Sequence, residues 1–360
     1  MRNLSDTLSR LAQQSGMTMP GDTGSDHLTD MTDFGSNPGA LRARCHVPTD
    51  LPPGAPLVVC LHGCTQSASV YDRGTGWSTL ADAAGFALLF PEQRRENNAN
   101  LCFNWFVPSD IARHGGEAES IAQMIQAMIL RHGLDPARVH VTGLSAGGAM
   151  TATMLAAWPE LFAAGAIFAG LPHATAATVP QALDRMRGHG LPGDAAAGAA
   201  VRAAAPRPVR RPRVAIWHGT SDSTVVLANR DALTRQWLAA YDLSPAPATV
   251  EADRNWSHRT WTGPDGTPLV EEWTITGLGH GVPIDPHGAD GLGAAGPHMI
   301  DVGVASTARL ARDWGLIPAA SAQVERAAPR ASARNVDPVP VASGVQATIE
   351  QALRAAGLMR

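Results

Sequence analysis

The sequence predicts an α/β fold built on a mostly parallel central sheet. Short, wholly apolar runs are typical of strands buried on both faces. Between them lie longer stretches whose apolar residues recur at three- and four-residue steps, as in helices that cover a sheet. The two patterns alternate along the chain, which favours parallel strands joined by helices. With 360 residues and 44% hydrophobic content, the chain can bury one large catalytic core.

The elements follow from these patterns in chain order. The predicted strands cover 57–61, 86–91, 138–142, 164–169, 214–217 and 270–276. The predicted helices cover 116–131, 145–158, 226–241 and 302–314. The first helix shows the pattern clearly, with Ile121, Met124, Ile125 and Met128 on one face and Gly133 as a C-terminal cap.

The alternating elements define a catalytic domain over residues 39–316. Residues 1–38 are polar and rich in Gly, Thr and Asp, so we predict an N-terminal arm. Residues 174–212, dense in Ala, Gly, Pro and Arg, interrupt the alternation and predict a connecting, lid-like insertion at the edge of the sheet. Residues 317–360 resemble a flexible tail with a short helix at 345–358.

Charge and composition exclude several classes of function. The net charge of −4, with no basic cluster, argues against nucleic acid as a partner. No window approaches the ~18 apolar residues of a membrane span. The N-terminus lacks the apolar core of a secretory signal, so we expect a cytoplasmic protein, with secretion as the alternative for a chain that has lost its leader. The four cysteines match no zinc spacing and no phosphate loop is present, so we expect no metal and no cofactor. The sequence does not indicate an oligomeric state.

A motif for nucleophilic catalysis lies between a predicted strand and a predicted helix. It is Gly143-Leu144-Ser145-Ala146-Gly147, a match to G-x-S-x-G. Acyl transfer needs an exposed nucleophile beside oxyanion donors, and a sharp strand-to-helix turn provides both. A chance turn of small residues is the alternative, but the strand and helix on either side favour function. The motif predicts an α/β-hydrolase fold with Ser145 as the nucleophile.

An acid for the triad follows the serine in the order that this fold uses. Asp222 lies just past the predicted strand 214–217, where ligands and catalytic groups gather in parallel sheets. It could instead close a turn or cap the next helix. Asp184 and Asp285 are weaker candidates.

A base comes later in the chain, again in the expected order. His280 lies in the glycine-flanked loop Gly277-Leu278-Gly279-His280-Gly281, directly after the last predicted strand. Such a loop can bring the ring over the nucleophile. A solvated loop histidine is the alternative interpretation. The competing histidines are His258, His287 and His298.

Two backbone amides are predicted to form the oxyanion hole. Ala146 follows the nucleophile, and Cys64 follows His62-Gly63 after the strand 57–61. Cys64 as a second nucleophile is the competing idea, but it lies off the turn and its thiol would duplicate Ser145.

Together these residues resemble the poly(3-hydroxybutyrate) depolymerase family of esterases, which neighbours the feruloyl and acetylxylan esterases. The resemblance covers roughly residues 41–314. Its motifs are His62-Gly63-Cys64-Thr65-Gln66, Asn100-Leu101-Cys102-Phe103-Asn104-Trp105-Phe106, Gly143 to Gly147, Trp217 to Val225 and Gly277 to His280.

The resemblance implies roles for these positions. Ser145, Asp222 and His280 would form the triad, with Cys64 and Ala146 as the oxyanion hole. The substrate-binding residues would be Trp105, Asn104 and His62, although a core role for the Trp105 ring is an equal alternative.

The resemblance also bears on Phe103 and on the cysteines Cys64 and Cys102. Family members often carry Trp where this chain has Phe103, which keeps an aromatic ring and changes its shape. Cys64 and Cys102 are implied to lie close together, as a disulfide in an oxidising compartment and as thiols in the cytosol.

The predicted function is therefore serine carboxylester hydrolysis of poly(3-hydroxybutyrate) or its hydroxyalkanoate oligomers through an acyl-enzyme. The alternative is a small-ester or feruloyl/acetylxylan-type esterase, and a non-catalytic polymer-binding module on the same fold is a third hypothesis. The partner is thus a small or polymeric ester. The tail helix, with Val345, Ile349 and Leu353, could touch a polymer granule, or it could be a frayed end.

Overall fold

A computed structural model describes residues 27–206 and 211–319. Its main feature is a ten-stranded sheet. The strands in chain order are β1 Thr29–Met31, β2 Arg42–His46, β3 Leu57–Leu61, β4 Ala87–Glu92, β5 Val139–Leu144, β6 Ala164–Phe168, β7 Arg213–Gly219, β8 Thr249–Ala252, β9 Trp256–Thr262 and β10 Pro268–Ile275. Two further strands, β11 Val282–Ile284 and β12 Met299–Asp301, pair in parallel with each other.

The sheet is parallel in its centre and antiparallel at both edges. Its spatial order is β1-β2-β4-β3-β5-β6-β7-β10-β9-β8. Strands β4, β3, β5, β6, β7 and β10 run in parallel, whereas β1 and β2 on one side and β9 and β8 on the other run antiparallel. The predicted mostly parallel α/β-hydrolase sheet is confirmed.

Helices cover the sheet. They are α1 Ala68–Thr75, α2 Trp77–Ala84, α3 Gly116–His132, α4 Ala146–Ala157, α5 Val179–Met186, α6 Asp194–Ala203, α7 Ala228–Tyr241 and α8 Ser306–Asp313, with a 3-10 turn at Pro159–Leu161. Strand β3 shows how the layers form. Leu57, Val59 and Leu61 enter one hydrophobic core, while Val58 and Cys60 enter the core on the opposite face. This explains why the strand is apolar at every position.

The sheet extends beyond the predicted strands at both edges. Strand β1 pairs with β2 through Thr29 and Met31, so pairing begins before residue 39, where the catalytic domain was expected to start. Strands β8 and β9 were not predicted either. Edge strands have one solvated face and lack the continuous apolar run of a central strand.

The predicted lid-like insertion contains two helices. In residues 174–206, α6 packs on α7, and Gly198 allows this because a Cβ there would overlap the backbone of Ala239. Helix α5 brings Met186 to the cleft described below. The division into arm, catalytic domain and tail stays a prediction.

Two expectations lie outside the described residues. They are residues 1–26 of the predicted N-terminal arm and the tail helix at 345–358. Within residues 27–206 and 211–319, no helix has the length and apolar character needed to cross a bilayer.

Candidate active site

Four parallel strands deliver the candidate catalytic residues to one edge of the sheet. The loops after β3, β5, β7 and β10 carry Cys64, Ser145, Asp222 and His280 respectively. Carboxyl ends of parallel strands lie on the same side, which is where α/β proteins build their sites. The topology therefore brings together residues that lie more than 200 positions apart along the chain.

Ser145 occupies a strained turn between β5 and α4. Its backbone has φ 57° and ψ −115°, outside the regions that side-chain-bearing residues favour. The Ser145 amide donates to Phe168 O at 2.9 Å, which ties the turn to the neighbouring strand. A Cβ at Gly147 would overlap the carbonyl oxygens of Leu61 and His62, so only glycine allows this approach. The side chain of Ser145 is thereby presented at the edge of the sheet.

Asp222 and His280 form a hydrogen-bonded pair beside that turn. His280 Nδ1 lies 2.7 Å from Asp222 Oδ2, and the carboxylate is fully buried. A carboxylate only accepts, so His280 Nδ1 carries the hydrogen and Nε2 is left free to take a proton. This is the tautomer that a general base for a serine nucleophile requires.

Further contacts hold the Asp222 carboxylate in place. Its Oδ1 accepts from the amides of Thr224 and Val225, each at 2.9 Å. His218 Nε2 donates to Val225 O at 2.8 Å and lies 3.5 Å from Oδ2. Burial favours the neutral acid, but the hydrogen bond from His280 and the neighbouring donors outweigh it and lower the pKa of Asp222. The carboxylate is therefore ionised at neutral pH.

The loop after β3 fixes the amide of Cys64 by holding its neighbours. The Gly63 amide donates to Gln66 Oε1 at 2.9 Å, and the Thr65 amide donates to Asn100 O at 2.7 Å. Ala146 is the first residue of α4, so its amide has no acceptor within the helix. The Cys64 and Ala146 amides are the two donors that the sequence predicted for an oxyanion hole.

Ser145 and His280 line one narrow cleft. Its volume is about 30 Å³. The residues that line it are Gly63, Cys64, Leu144, Ser145, Met186, Thr224, His280 and His298.

His62, predicted to contact substrate, is buried and does not line the cleft. Only 1% of the residue is exposed, and both ring nitrogens are engaged. Its Nδ1 donates to Gly63 O at 2.8 Å and its Nε2 accepts from the Gln93 amide at 3.1 Å. Phe103 packs on the ring, with centroids 5.0 Å apart. His62 therefore supports the oxyanion loop from beneath.

Asn104 and Trp105 lie beside the cleft without lining it. The Asn104 amide donates to Glu117 Oε2 at 2.8 Å, and its side-chain oxygen accepts from Asn98 at 2.9 Å. Trp105 is 5% exposed and packs in a cluster that includes Ala146. The ring thus forms the wall behind the start of α4, which is the core role weighed for it.

A buried carboxyl anchors this loop. Glu117, at the start of α3, is 1% exposed and also accepts from Gln93 Nε2 at 2.5 Å. Gln93 Nε2 donates to Cys102 O at 3.0 Å as well. Burial raises the pKa of Glu117 to about 8 despite the hydrogen bonds from Asn104 and Gln93.

Cys64 and Cys102 form a disulfide. Of the two states weighed for this pair, the structure contains the bonded one. It joins the oxyanion loop to the loop of Asn104 and Trp105. It also removes the thiol that a cysteine nucleophile at position 64 would need.

The competing acids and bases lie elsewhere, with one exception. Asp184 is exposed on α5. His258 lies on β9, 3.1 Å from Glu271. His298 does reach the cleft, but as a neighbour of His280 rather than as its replacement. Across residues 27–206 and 211–319, no cluster of three or more His, Cys, Asp or Glu side chains could hold a metal ion.

Comparison with known proteins places this geometry in a family. The family model described as esterase PHB depolymerase matches residues 47–255, which is more than half of the chain. The chain belongs to this family. The PHB depolymerase esterases are carboxylic ester hydrolases, and this chain is a serine esterase of the α/β-hydrolase fold.

Individual relatives of this esterase agree in chemistry and differ in substrate. Poly(3-hydroxyalkanoate) depolymerase C of Paucimonas lemoignei is 42% identical over 81% of this chain and 70% of its own length. Acetylxylan esterase A of Aspergillus oryzae is 31% identical over 74% of this chain and 87% of its own. The solved acetyl xylan esterase of Aspergillus awamori is 27% identical, with a TM-score of 0.64 over 71% of this chain and 94% of its own.

Sequence reasoning missed several residues of the esterase site. Met186 and Thr224 line the cleft, although neither belongs to a pattern with chemistry of its own. Gln93 and Glu117 support the loops from behind. A glutamate in the first turn of an amphipathic helix usually faces solvent, so nothing in the sequence indicated its burial.

Proposed function

We propose that this esterase hydrolyses poly(3-hydroxybutyrate) or its hydroxyalkanoate oligomers, with Ser145 as nucleophile, His280 as base and Asp222 as orienting acid. The observation that carries the proposal is the 2.7 Å hydrogen bond from His280 to the buried Asp222, in the cleft that Ser145 lines. The identity of 42% to a poly(3-hydroxyalkanoate) depolymerase supports the substrate class.

The mechanism has two steps. His280 Nε2 takes the hydroxyl proton as Ser145 Oγ bonds to the ester carbon, and the amides of Cys64 and Ala146 stabilise the resulting oxyanion. The C–O bond to the alcohol then breaks, and His280 returns the proton to the departing oxygen. Water attacks the acyl-enzyme with the same base and releases the acid. Asp222 stays ionised throughout and stabilises the imidazolium.

A second candidate is hydrolysis of small acyl groups from a carbohydrate. The acetylxylan esterase relatives favour it, and the narrow cleft suits a short acyl chain. A panel of amorphous poly(3-hydroxybutyrate), hydroxybutyrate oligomers, acetylated xylan and feruloyl esters would separate the two, with released acid as the readout. Release from the first two substrates alone supports the proposal, and release from xylan or feruloyl esters alone supports the alternative.

The nucleophile is tested by Ser145→Ala, which we expect to reduce hydrolysis of a chromogenic short-chain ester by about 10⁶-fold, because covalent catalysis is lost. A serine-directed phosphonate should label the wild-type protein at Ser145 and leave the variant unlabelled. Cys45→Ala is the control, because Cys45 is a buried thiol on β2 that does not line the cleft. This variant should keep wild-type rates. Equal rates in Ser145→Ala and the wild type would contradict the assignment.

The compartment is a separate proposal. A disulfide between Cys64 and Cys102 is typical of proteins that mature in an oxidising environment. It favours the secreted alternative over the cytoplasmic expectation. Fractionation of the native host, with free-thiol labelling of each fraction, tests this.

A further inference from the structure

A second histidine shares the cleft with the proposed catalytic pair. His298 lines the same cleft as Ser145 and His280. The rings of His298 and His280 are nearly perpendicular, at 82°, with centroids 5.7 Å apart. The mechanism above uses His280 alone, so the role of His298 is open.

The hydrogen bond of the His298 ring fixes which of its nitrogens is the acceptor. Its Nδ1 lies 2.9 Å from the backbone oxygen of His280, and a carbonyl can only accept. Nδ1 therefore carries the hydrogen. Burial lowers the pKa of His298, so the ring is neutral at neutral pH and Nε2 keeps its lone pair. No other described residue donates a hydrogen bond to this nitrogen.

The backbone around His298 is built to hold the ring there. His298 has φ 64°, a left-handed conformation that is uncommon for a side-chain-bearing residue. Its carbonyl oxygen accepts from the Val282 amide at 2.8 Å, and a Cβ at Gly281 would approach that oxygen too closely. The pairing of β11 with β12 thus places His298 beside the loop that carries His280.

The rest of the cleft leaves this acceptor without a partner. Leu144 and Met186 present apolar side chains, and Cys64 is held in its disulfide. Thr224 contributes the other hydroxyl besides that of Ser145. Water can donate to this partly exposed nitrogen in the free protein, and a bound substrate that displaces the water must bring a donor in its place. An ester group has no donor of its own, so the donor must come from another part of the substrate.

We propose that His298 Nε2 accepts a hydrogen bond from a substrate hydroxyl close to the scissile ester, and that His298 is therefore a specificity-determining residue. The inference rests on the proposed function, since it assumes that the ester is cleaved in this cleft. Two kinds of ester carry such a hydroxyl. It lies on the acyl side in a terminal 3-hydroxyacyl unit, and on the alcohol side in an acylated sugar or glycol.

Two matched pairs of esters distinguish these sources. Methyl 3-hydroxybutyrate and methyl 3-methylbutyrate differ by a hydroxyl against a methyl group on the acyl side. The esters 2-hydroxyethyl butyrate and propyl butyrate differ in the same way on the alcohol side. The measurement is the ratio of kcat/KM within each pair, by titration of released acid. A ratio cancels any general change in His280 or Ser145.

The test variant is His298→Asn. Asparagine tolerates left-handed backbone better than most residues, and its amide nitrogen can take the place of Nδ1 on the His280 carbonyl. It has no atom at the position of Nε2. Thr224→Val is the matched control, since it removes the other hydroxyl of the cleft and keeps its volume.

We expect the wild type to prefer the hydroxylated ester about fivefold to tenfold in one of the two pairs. His298→Asn should abolish that preference, and Thr224→Val should keep it. The inference is overturned if the wild type shows no preference in either pair, or if the preference survives in His298→Asn. It is also overturned if Thr224→Val alone removes the preference. If His298→Asn does not fold, the absence of a preference in the wild type still overturns the inference. Failure to hydrolyse any of the four esters would instead contradict the proposed function on which the inference rests.

Discussion

At the scale of single residues, the Asp222 carboxylate is oriented by hydrogen bonds to both of its oxygens. Two backbone amides hold one carboxylate oxygen, and His280 binds the other. These contacts do more than lower the pKa of the acid. They hold the carboxylate in one orientation, which in turn fixes the tautomer of His280.

Asp222→Asn should therefore lower kcat by about 10³- to 10⁴-fold while leaving the fold intact, because an amide can stabilise the wrong imidazole tautomer and cannot stabilise the imidazolium. Steady-state hydrolysis of a chromogenic ester measures the effect, and circular dichroism checks the fold. Asp184→Asn, at the exposed competing acid on α5, is the matched control and should keep the wild-type rate. A small effect at Asp222 with a large one at Asp184 would reverse the assignment.

Glu117 predicts how stability depends on pH. Its pKa in the folded protein is about 8, raised by burial above the ordinary 4.5. A carboxyl whose pKa is raised by folding stabilises the protein fully below pH 4.5, and this contribution is lost as the pH rises to about 8. The wild-type free energy of unfolding should thus fall across that window by an amount on the order of a few kcal/mol.

The variant Glu117→Gln cannot titrate, so it should lack this fall when chemical unfolding is followed from pH 5 to pH 9. Glu251→Gln, at an exposed glutamate on β8, should retain the wild-type slope. Identical pH profiles for the wild type and Glu117→Gln would show that the Glu117 carboxyl does not cause the fall in the free energy of unfolding.

The sequence predicted the placement of residues that depend on chain order and local pattern, and their catalytic roles stay a prediction. Ser145, Asp222 and His280 each follow a strand of the parallel part of the sheet, so their shared edge could be inferred from chain order. The burial of His62 could not be predicted because it depends on Gln93 and Phe103, which are distant in sequence. His298 was considered only as a base, since no pattern reveals which ring contacts a backbone carbonyl.

At the scale of elements, the strand-to-helix turn depends on glycines that permit close backbone approach. Gly147 faces the carbonyl oxygens of Leu61 and His62. The first turn of α4 thus lies directly against the start of the oxyanion loop. The position of Ser145 and that of the Cys64 amide are set by one contact.

Gly147→Ala should separate these two elements and lower kcat/KM by at least about 100-fold, since displacements near 1 Å at a site are that costly. Gly193→Ala is the control, because a Cβ there meets no atom and the backbone is not left-handed. Kinetics and the melting temperature of both variants test the prediction. A folded Gly147→Ala protein with wild-type kcat/KM would refute it.

The strands differ in how well the sequence predicts them. The central strands β3 and β5 are buried at every position, and β3 is apolar throughout. Strand β8 is exposed at every position, and β9 mixes aromatic and charged residues. Strand β9 pairs with β10, and β8 pairs with β9. A local sequence pattern cannot show such pairing with distant strands.

At the scale of the whole molecule, the disulfide is a link between two parts of the site. It closes a loop of 38 residues that contains α1, α2 and β4. Reduction should lower the free energy of unfolding by roughly 2–4 kcal/mol, as the unfolded chain regains freedom. It should also lower kcat, because the Cys64 amide loses its tether to the Asn104 loop.

Melting temperature and kcat with and without dithiothreitol measure both effects. The double variant Cys64→Ala/Cys102→Ala should match the reduced wild type and should not respond to reductant. Cys45 and Cys60 are free and buried, so their variants should respond as the wild type does. A response of the double variant equal to that of the wild type would exclude the disulfide as the cause.

The strained backbone of Ser145 affects how the sequence of this enzyme can evolve under selection for stability. Holding a serine at φ 57° and ψ −115° costs on the order of 1–3 kcal/mol of stability, and the packing around Gly143 and Gly147 must offset it. A lineage that lost the need for catalysis could recover that stability by relaxing the turn. Thermostabilised variants selected without an activity screen would therefore accumulate inactivating changes around Ser145, and selection for heat resistance has to be coupled to turnover.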